Sequence, residues 1–337
     1  MAWEATFFKK TPLGVHKNCL ALLEAYAEVA PVWLRLLLAT YVGVGPLVAR
    51  CFGGNTKTMW KQADSIIGDL FATSRMSPHE IVRSLRQYLR IKLEEDPHLP
   101  FDRARESIYD QSFYPLVTHF TFALQPSAVA RMRFVRRAAQ SMSVGEAAVA
   151  DLGCGSGLML CEVLKLRPAW RGYGLDVSEV AIDYAKRLAV HRGIGERVHF
   201  HRGCITDLPY SSKSLDLVIA SEVVEHLPEP ERIFKEFARV LAPGGLLLVT
   251  MPVESHTPAH MNALSNAEEL CAFCETAGLT VCSVQSKWHL TFGDDPKHVF
   301  VVAQLKAQRE TETETDVTYS LLLPQMSSAA SRGMVSS

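Results

Sequence analysis

The chain has 337 residues, 48% of them hydrophobic and 21% charged, with a formal net charge of −1. That length supports a buried core without disulfide or metal staples. The neutral balance lacks the positive excess that marks nucleic-acid binders, so no nucleic-acid partner is expected. The charge is uneven, however: residues 1–140 hold 18 Lys and Arg against 12 Asp and Glu, and the remainder 17 against 24. A solvated basic helix face explains that split as simply as two functional halves do.

The eight cysteines, Cys19, Cys51, Cys154, Cys161, Cys204, Cys271, Cys274 and Cys282, follow no disulfide framework. The chain opens without a secretory signal pattern, so a reducing, cytoplasmic setting is expected. Cys271 and Cys274 form a lone C-x-x-C inside a predicted helix, with no second pair at zinc spacing, and no metal is expected there.

In chain order, residues 1–140 read as mostly helical. The apolar stretch Leu36–Ala49 is about 14 residues long and broken by Gly43, Gly45 and Pro46, where a span needs about 20. It predicts a buried helix, with weak membrane association as the alternative. Ser77-Pro78-His79-Glu80 is a capping box with proline at the first helical position. The helix that follows places Ile81, Leu85, Tyr88 and Leu89 on one face and Arg83, Arg86 and Arg90 on another.

From about residue 145 the pattern changes. Strands are predicted over Ala147–Leu152, Gly172–Asp176, Val198–Arg202, Leu215–Ala220 and Leu246–Met251. Helices start near Gly157 and Ser178, and another lies between Glu229 and Leu241. A further helix is predicted from a capping box at Ser265–Glu268 to a stop at Gly278. Two last strands, Thr280–Trp288 and His298–Ala303, read as an antiparallel hairpin. Strand–helix alternation of this kind predicts a doubly wound, Rossmann-like α/β sheet of seven strands with an antiparallel edge hairpin, preceded by the helical region. The run Glu-Thr-Glu-Thr-Glu-Thr-Asp and the serine-rich ending, 308–337, predict a disordered tail.

The most informative segment is Ala147-Ala-Val-Ala-Asp151-Leu-Gly153-Cys-Gly155-Ser-Gly157. An apolar strand ends in a carboxylate, and three alternate glycines lead into a helix. Glycines let the backbone turn sharply and approach a ligand, and the helix N-terminus offers free N–H groups to an anion. Asp176 ends the second strand 19 residues after Gly157, where a carboxylate can take the hydroxyls of a ribose. The turn is G-x-G-x-G, not the G-x-G-x-x-G of dinucleotide oxidoreductases.

With the segments Phe200–Tyr210, Ser214–Leu227 and Arg239–Gly245 in this order, residues 145–305 resemble the class I S-adenosylmethionine-dependent methyltransferase superfamily, especially its ubiquinone/menaquinone-biosynthesis-like branch. The resemblance implies S-adenosyl-L-methionine as cofactor. Asp151 and the turn Gly153, Gly155, Gly157 would hold its amino-acid end, Asp176 the ribose, and Val177 one face of the adenine. Cys204 and Ile205 would close over the other face, and Ser221 would lend a carbonyl to the methionine end. Many relatives carry Asp where this chain has Cys204, so the adenine amino group would have to be met by Asp207 or by the backbone of Ile205 and Thr206.

Methyl transfer needs in-line positioning and, for some acceptors, a base. The candidates are His226 and His256 as general bases. Glu222, His260, Tyr109, Phe113 and Tyr114 are candidates for lining the acceptor side. Pro258 between His256 and His260 argues against a metal pair. The organisation expected is a helical cap or substrate region over 1–140, a cofactor-binding domain over 141–307 and a tail over 308–337. The acceptor expected is a small molecule. The alternatives are a protein or RNA methyltransferase and a noncatalytic binding protein of the same fold.

Overall fold

The computed structural model describes residues 56–94, 111, 113–253, 261–262, 264–287 and 297–306. The apolar stretch 36–49 and the tail 308–337 lie outside these residues. Among the described residues the first elements are the helices α1 (Thr56–Ser74), α2 (Pro78–Glu94), α3 (Tyr114–Leu124) and α4 (Pro126–Ser141). The strands and helices that follow are β1 (Ala148–Leu152), α5 (Leu158–Leu166), β2 (Arg171–Asp176), α6 (Glu179–His191), β3 (Val198–Arg202), β4 (Leu215–Ser221), α7 (Pro230–Val240) and β5 (Leu241–Val253). The last elements are α8 (Ala267–Thr276), β6 (Leu279–Lys287) and β7 (Lys297–Leu305).

The seven strands lie in the order β3-β2-β1-β4-β5-β7-β6. β1 to β5 pair in parallel, and β7 runs antiparallel to both β5 and β6. The doubly wound sheet and its edge hairpin therefore stand as the sequence predicts. The chain winds outward from β1 to β3 and then crosses back to β4. That makes the gap between β1 and β4 the topological switch point, where strand ends diverge and a crevice opens.

β1 and β4 are almost wholly buried because helices cover both faces, which is why their sequences are mainly apolar, with Asp151 and Asp216 as the charged exceptions. One face packs on α5, α6 and α4. The described parts of α1, α2 and α3 join the same core through Ile66, Leu70, Ile81 and Leu116. The other face packs on α7 and α8, where the Phe234 and Phe273 rings stack at 5.6 Å between centroids.

The capping box at Ser77 forms as written in the sequence: Ser77 N–H donates to Glu80 Oε2 at 2.8 Å and Glu80 N–H to Ser77 Oγ at 3.4 Å. On α2, Ile81 is buried and Leu85 half-buried, while Arg83 and Arg86 are exposed. The box before α8 is displaced by one residue. Asn266 is the N-cap and accepts from Glu269 N–H at 3.0 Å, while Glu269 Oε2 accepts from Ser265 N–H at 3.1 Å. Asn caps as well as Ser, and Glu269 reaches back where Glu268 would point outward.

A second difference lies at β5, which begins at Leu241, five residues before the predicted start. Leu241 pairs with Leu215, and a register shift between Leu215 and Leu217 absorbs the Pro-Gly-Gly segment. Gly244 takes φ +82°, and a Cβ at Gly245 would meet the Ala242 and Leu215 carbonyl oxygens at 2.8 and 3.0 Å. The glycines permit a bulge inside the strand.

Helix α1 is tied along α6 by ions as well as by apolar packing. Arg192, which caps α6, donates to Asp69 Oδ2 at 2.6 Å and to Glu162 Oε1 at 2.5 Å, and Arg136 reaches Glu162 Oε2 at 2.7 Å. Four helices thus share one network of two carboxylates and two guanidinium groups. Between them His119 is fully enclosed, with Nε2 on the Ile66 carbonyl at 2.9 Å. Burial holds that imidazole down at about 3. Among the described residues no helix is long and apolar enough to cross a membrane.

Candidate functional site

The chemistry-bearing residues collect at the carboxyl ends of β1, β2, β4 and β5. Asp151 is 3% exposed, and its Oδ2 is buried without a hydrogen-bond partner. Burial, and then the Asp176 charge, push its carboxyl up to about 7. A carboxylate so placed is uncomfortable alone and welcomes a cationic ligand. The turn after it takes left-handed backbone at Gly153, Gly155 and Gly157, with φ of +76°, +51° and +72°. A Cβ at Gly157 would meet Ala185 at 2.7 Å and the Phe200 ring at 2.9 Å. Only glycine satisfies both the dihedral and the packing there.

Asp176 closes the other side of this cradle. Its Oδ2 accepts the Gly155 N–H at 2.8 Å and its Oδ1 the Ser178 N–H at 2.9 Å. Ser178 caps α6, as expected, by accepting from Ala181 N–H. Val177 is 43% exposed, an unusual state for a valine beside so buried a carboxylate, and it leaves an apolar surface at the crevice. Across the crevice, Ile205 is buried and comes within 3.7 Å of the position a Gly153 Cβ would take. Cys204 is exposed, with Sγ 3.0 Å from Thr206 Oγ1. Helix α3 touches the same turn: Thr118 lies 3.4 Å from the Cβ position of Gly155.

Beyond β4 the backbone is strained. Glu222 has φ +56°, a left-handed conformation that costs a side-chain-bearing residue roughly 1–2 kcal/mol. Four contacts hold it. Its N–H donates to the Thr250 carbonyl at 3.0 Å, Thr250 Oγ1 donates to its Oε1 at 3.0 Å, and His298 Nε2 donates to its Oε2 at 2.9 Å. Arg131 Nη1 stands 3.5 Å from Oε2. Burial works against its charge, but Arg131, His298 and Thr250 overcome it and hold the carboxyl down at about 2. Ser221 Oγ is 3.0 Å from Thr250 Oγ1. Glu225 is 1% exposed with Oε2 unpartnered, and burial together with the Glu222 charge raises its carboxyl well above the usual range.

His226 is partly exposed, with Nε2 3.9 Å from Glu225 Oε1. The Glu225 carbonyl accepts the N–H groups of Met261 and Asn262 at 2.7 and 3.1 Å, so the segment after β5 is fastened to the turn after β4. Phe113 is buried and Tyr114 half-buried at the start of α3. Tyr109, His256 and His260 lie outside the described residues. Sequence reasoning passed over Arg131, Thr250, His298 and Thr118. None belongs to a local motif, and each reaches the site only through packing of its helix or strand. Among the described residues no group of His, Cys, Asp or Glu is arranged to hold a metal ion. In the C-x-x-C of α8, burial raises the Cys274 thiol to about 12 and leaves it unreactive.

The cradle fits S-adenosylmethionine. An unpartnered buried carboxylate oxygen, a left-handed glycine turn, a carboxylate ending β2 and an exposed valine meet at these strand ends.

Comparison with known proteins places this geometry. Residues 150–249 match the family described as methyltransferase domain. The chain is 30% identical over 162 residues to the biotin biosynthesis bifunctional protein BioHC of Teredinibacter turnerae, a match over 43% of this chain and 28% of that protein. It is 32% identical over 117 residues to the sterol 24-C-methyltransferase erg6 of Aspergillus fumigatus, covering 33% of this chain and 31% of the relative. It is also 32% identical over 120 residues to norajmaline N-methyltransferase of Rauvolfia serpentina, covering 36% and 39%. The chain thus spans well under half the length of these relatives. The matched segment is a domain of the class I S-adenosylmethionine-dependent methyltransferase superfamily.

Proposed function

We propose that this chain, built around a class I methyltransferase domain, transfers the methyl group of S-adenosylmethionine to a small, partly apolar acceptor. The observation that carries the reading is the cradle itself: Asp151 with an unpartnered buried oxygen, the left-handed glycine turn, and Asp176 bonded into that turn. The relatives named for sterol and alkaloid methyl transfer support a small-molecule acceptor.

The cofactor supplies a methyl already activated on a sulfonium. The protein has to bind both partners, align them and keep water out. Asp151 would meet the ammonium of the amino-acid end, and the N–H groups at the start of α5 would meet its carboxylate. Asp176 would take the ribose hydroxyls, while its bonds from Gly155 N–H and Ser178 N–H fix its rotamer. Val177 and Ile205 would bracket the adenine, with Cys204 at the rim, and the Ser221 carbonyl would face the methionine end. The acceptor would enter over β4 and β5, where His226 and Glu222 stand and from which the segment carrying His256 and His260 departs. Residues 1–140 would supply the cap, with Thr118 of α3 already on the glycine turn. We take the working compartment to be the cytoplasm.

Titration calorimetry with S-adenosylmethionine and S-adenosylhomocysteine tests the cofactor, and one-site binding of both is expected. Tritiated methyl donor incubated with a cell extract split by size tests the acceptor class. Label should enter the fraction below about 1 kDa; label confined to protein or RNA would overturn the small-molecule reading.

A further inference from the structure

The guanidinium of Arg131 is enclosed yet poorly satisfied. Its side chain is 12% exposed, its Nε is buried without a partner, and among the described residues its polar contact is the 3.5 Å approach to Glu222. Arginine carries five N–H donors in a planar fork, and buried donors in folded proteins are nearly always used. The neighbourhood explains how this one came to be held here. Phe134, one turn along α4, packs edge-to-face on Phe300 of β7 at 5.3 Å between centroids. That contact fixes α4 against the sheet. One turn nearer the strand ends, Arg131 and His298 then meet over Glu222. Thr250, on β5 beside them, completes the floor.

We infer that Arg131 binds a carboxylate of the methyl acceptor, the fork of the guanidinium being the missing partner of a planar oxyanion. The inference rests on the methyltransferase reading of the site. The N–H groups at the start of α5 are already available to the cofactor's carboxylate, which leaves Arg131 to the acceptor. The cluster lies over β4, β5 and β7, whereas the glycine turn follows β1 on the other side of β4. Strands are spaced about 4.8 Å apart, so β5 stands roughly 10 Å from β1. Glu222 is the internal anion that keeps the guanidinium oriented while the acceptor is absent, and at 3.5 Å it leaves the fork open. Glu225 is buried nearby with an unpartnered Oε2, and burial and the Glu222 charge shift its carboxyl toward the acid form. Arg131 and His298 both fall outside the matched segment 150–249.

The test uses the full chain, with and without saturating S-adenosylhomocysteine, and 4-fluorobenzoate as probe, followed by fluorine line broadening. 4-Fluorobenzyl alcohol is the neutral control. The wild type should bind the benzoate and discriminate against the alcohol. Arg131→Met should weaken the benzoate at least tenfold while leaving S-adenosylhomocysteine affinity unchanged. Arg131→Lys, which keeps the charge but loses the fork, should fall between them. Glu222→Gln should strengthen the benzoate severalfold, because an internal competitor is removed; a purely structural Arg131 would not produce that gain. Benzoate affinity unchanged in Arg131→Met, or a wild type that treats the two probes alike, overturns the inference. So does an Arg131→Met protein that loses S-adenosylhomocysteine but keeps methylthioadenosine, since the guanidinium would then hold the cofactor's own carboxylate. Failure of the wild type to bind S-adenosylhomocysteine sinks the methyltransferase reading itself, a result separable from the benzoate arm.

Discussion

The Gly155 N–H donates to Asp176 Oδ2 at 2.8 Å, so the carboxylate that ends β2 is part of the turn that follows β1. Two strands that never share a motif in sequence are locked together at the crevice by that bond. Asp176 is therefore both a ligand candidate and a support for the loop.

Asp176→Ala should weaken S-adenosylhomocysteine by about 2–3 kcal/mol, since it removes charge-assisted bonds to the ribose and loosens the turn. Calorimetry on the variant gives the affinity, and a thermal melt separates the two roles. A lowered melting temperature with unchanged affinity would assign Asp176 to the loop alone.

Asp151 predicts a pH dependence. Its carboxyl stands at about 7 in the folded protein against an ordinary 3.8, so it is largely neutral below 7. An ammonium is best met by the ionised form. Cofactor affinity should therefore rise between pH 6 and 8, with proton release detectable by calorimetry in buffers of different ionisation enthalpy. In Asp151→Asn the profile should flatten. The free protein has the opposite trend from this group: stability falls as pH rises from about 4 through 7, because the folded state resists a charge the unfolded chain accepts.

His119 has the reverse sign. Its imidazole sits at about 3 in the fold and at 6.5 when unfolded. The unfolded chain takes the proton first, so the stability this residue supports is complete above 6.5 and is lost as pH falls from 6.5 toward 3. Urea midpoints for His119→Phe should show a weaker decline with acid than the wild type. Equal slopes would mean that His119 is not held neutral.

Arg192 joins α6 to α1 and α5 through Asp69 and Glu162. Arg192→Met leaves Asp69 with His191 and Glu162 with Arg136 as remaining ion partners, and should cost about 1–3 kcal/mol in a urea unfolding series. Adding Asp69→Leu should recover part of the loss, because the buried carboxylate left with the more exposed His191 goes with it. A single variant that melts like the wild type would reduce this network to surface ornament.

Much of the chain is legible in its sequence. The period of apolar residues, the glycine turn, Asp176 and the cap at Ser178 are local signals, and local physics decides them: a left-handed φ needs glycine, and a helix start needs an acceptor for its free N–H groups. The misplaced cap before α8 and the early start of β5 show the limit. Ser265 and Asn266 are both good caps, and which one serves depends on how α8 seats against α7. Whether Pro-Gly-Gly ends a turn or bulges a strand depends on Leu241 finding Leu215. The acceptor side was the least legible. Arg131, Glu222, Thr250 and His298 come from α4, β4, β5 and β7, separated by up to 167 positions in the chain. No periodicity or spacing in one sequence links such residues. They meet because Phe134 packs on Phe300 and because β7 inserts between β5 and β6, so the cofactor cradle was written locally while the acceptor's surroundings exist only once the sheet has closed.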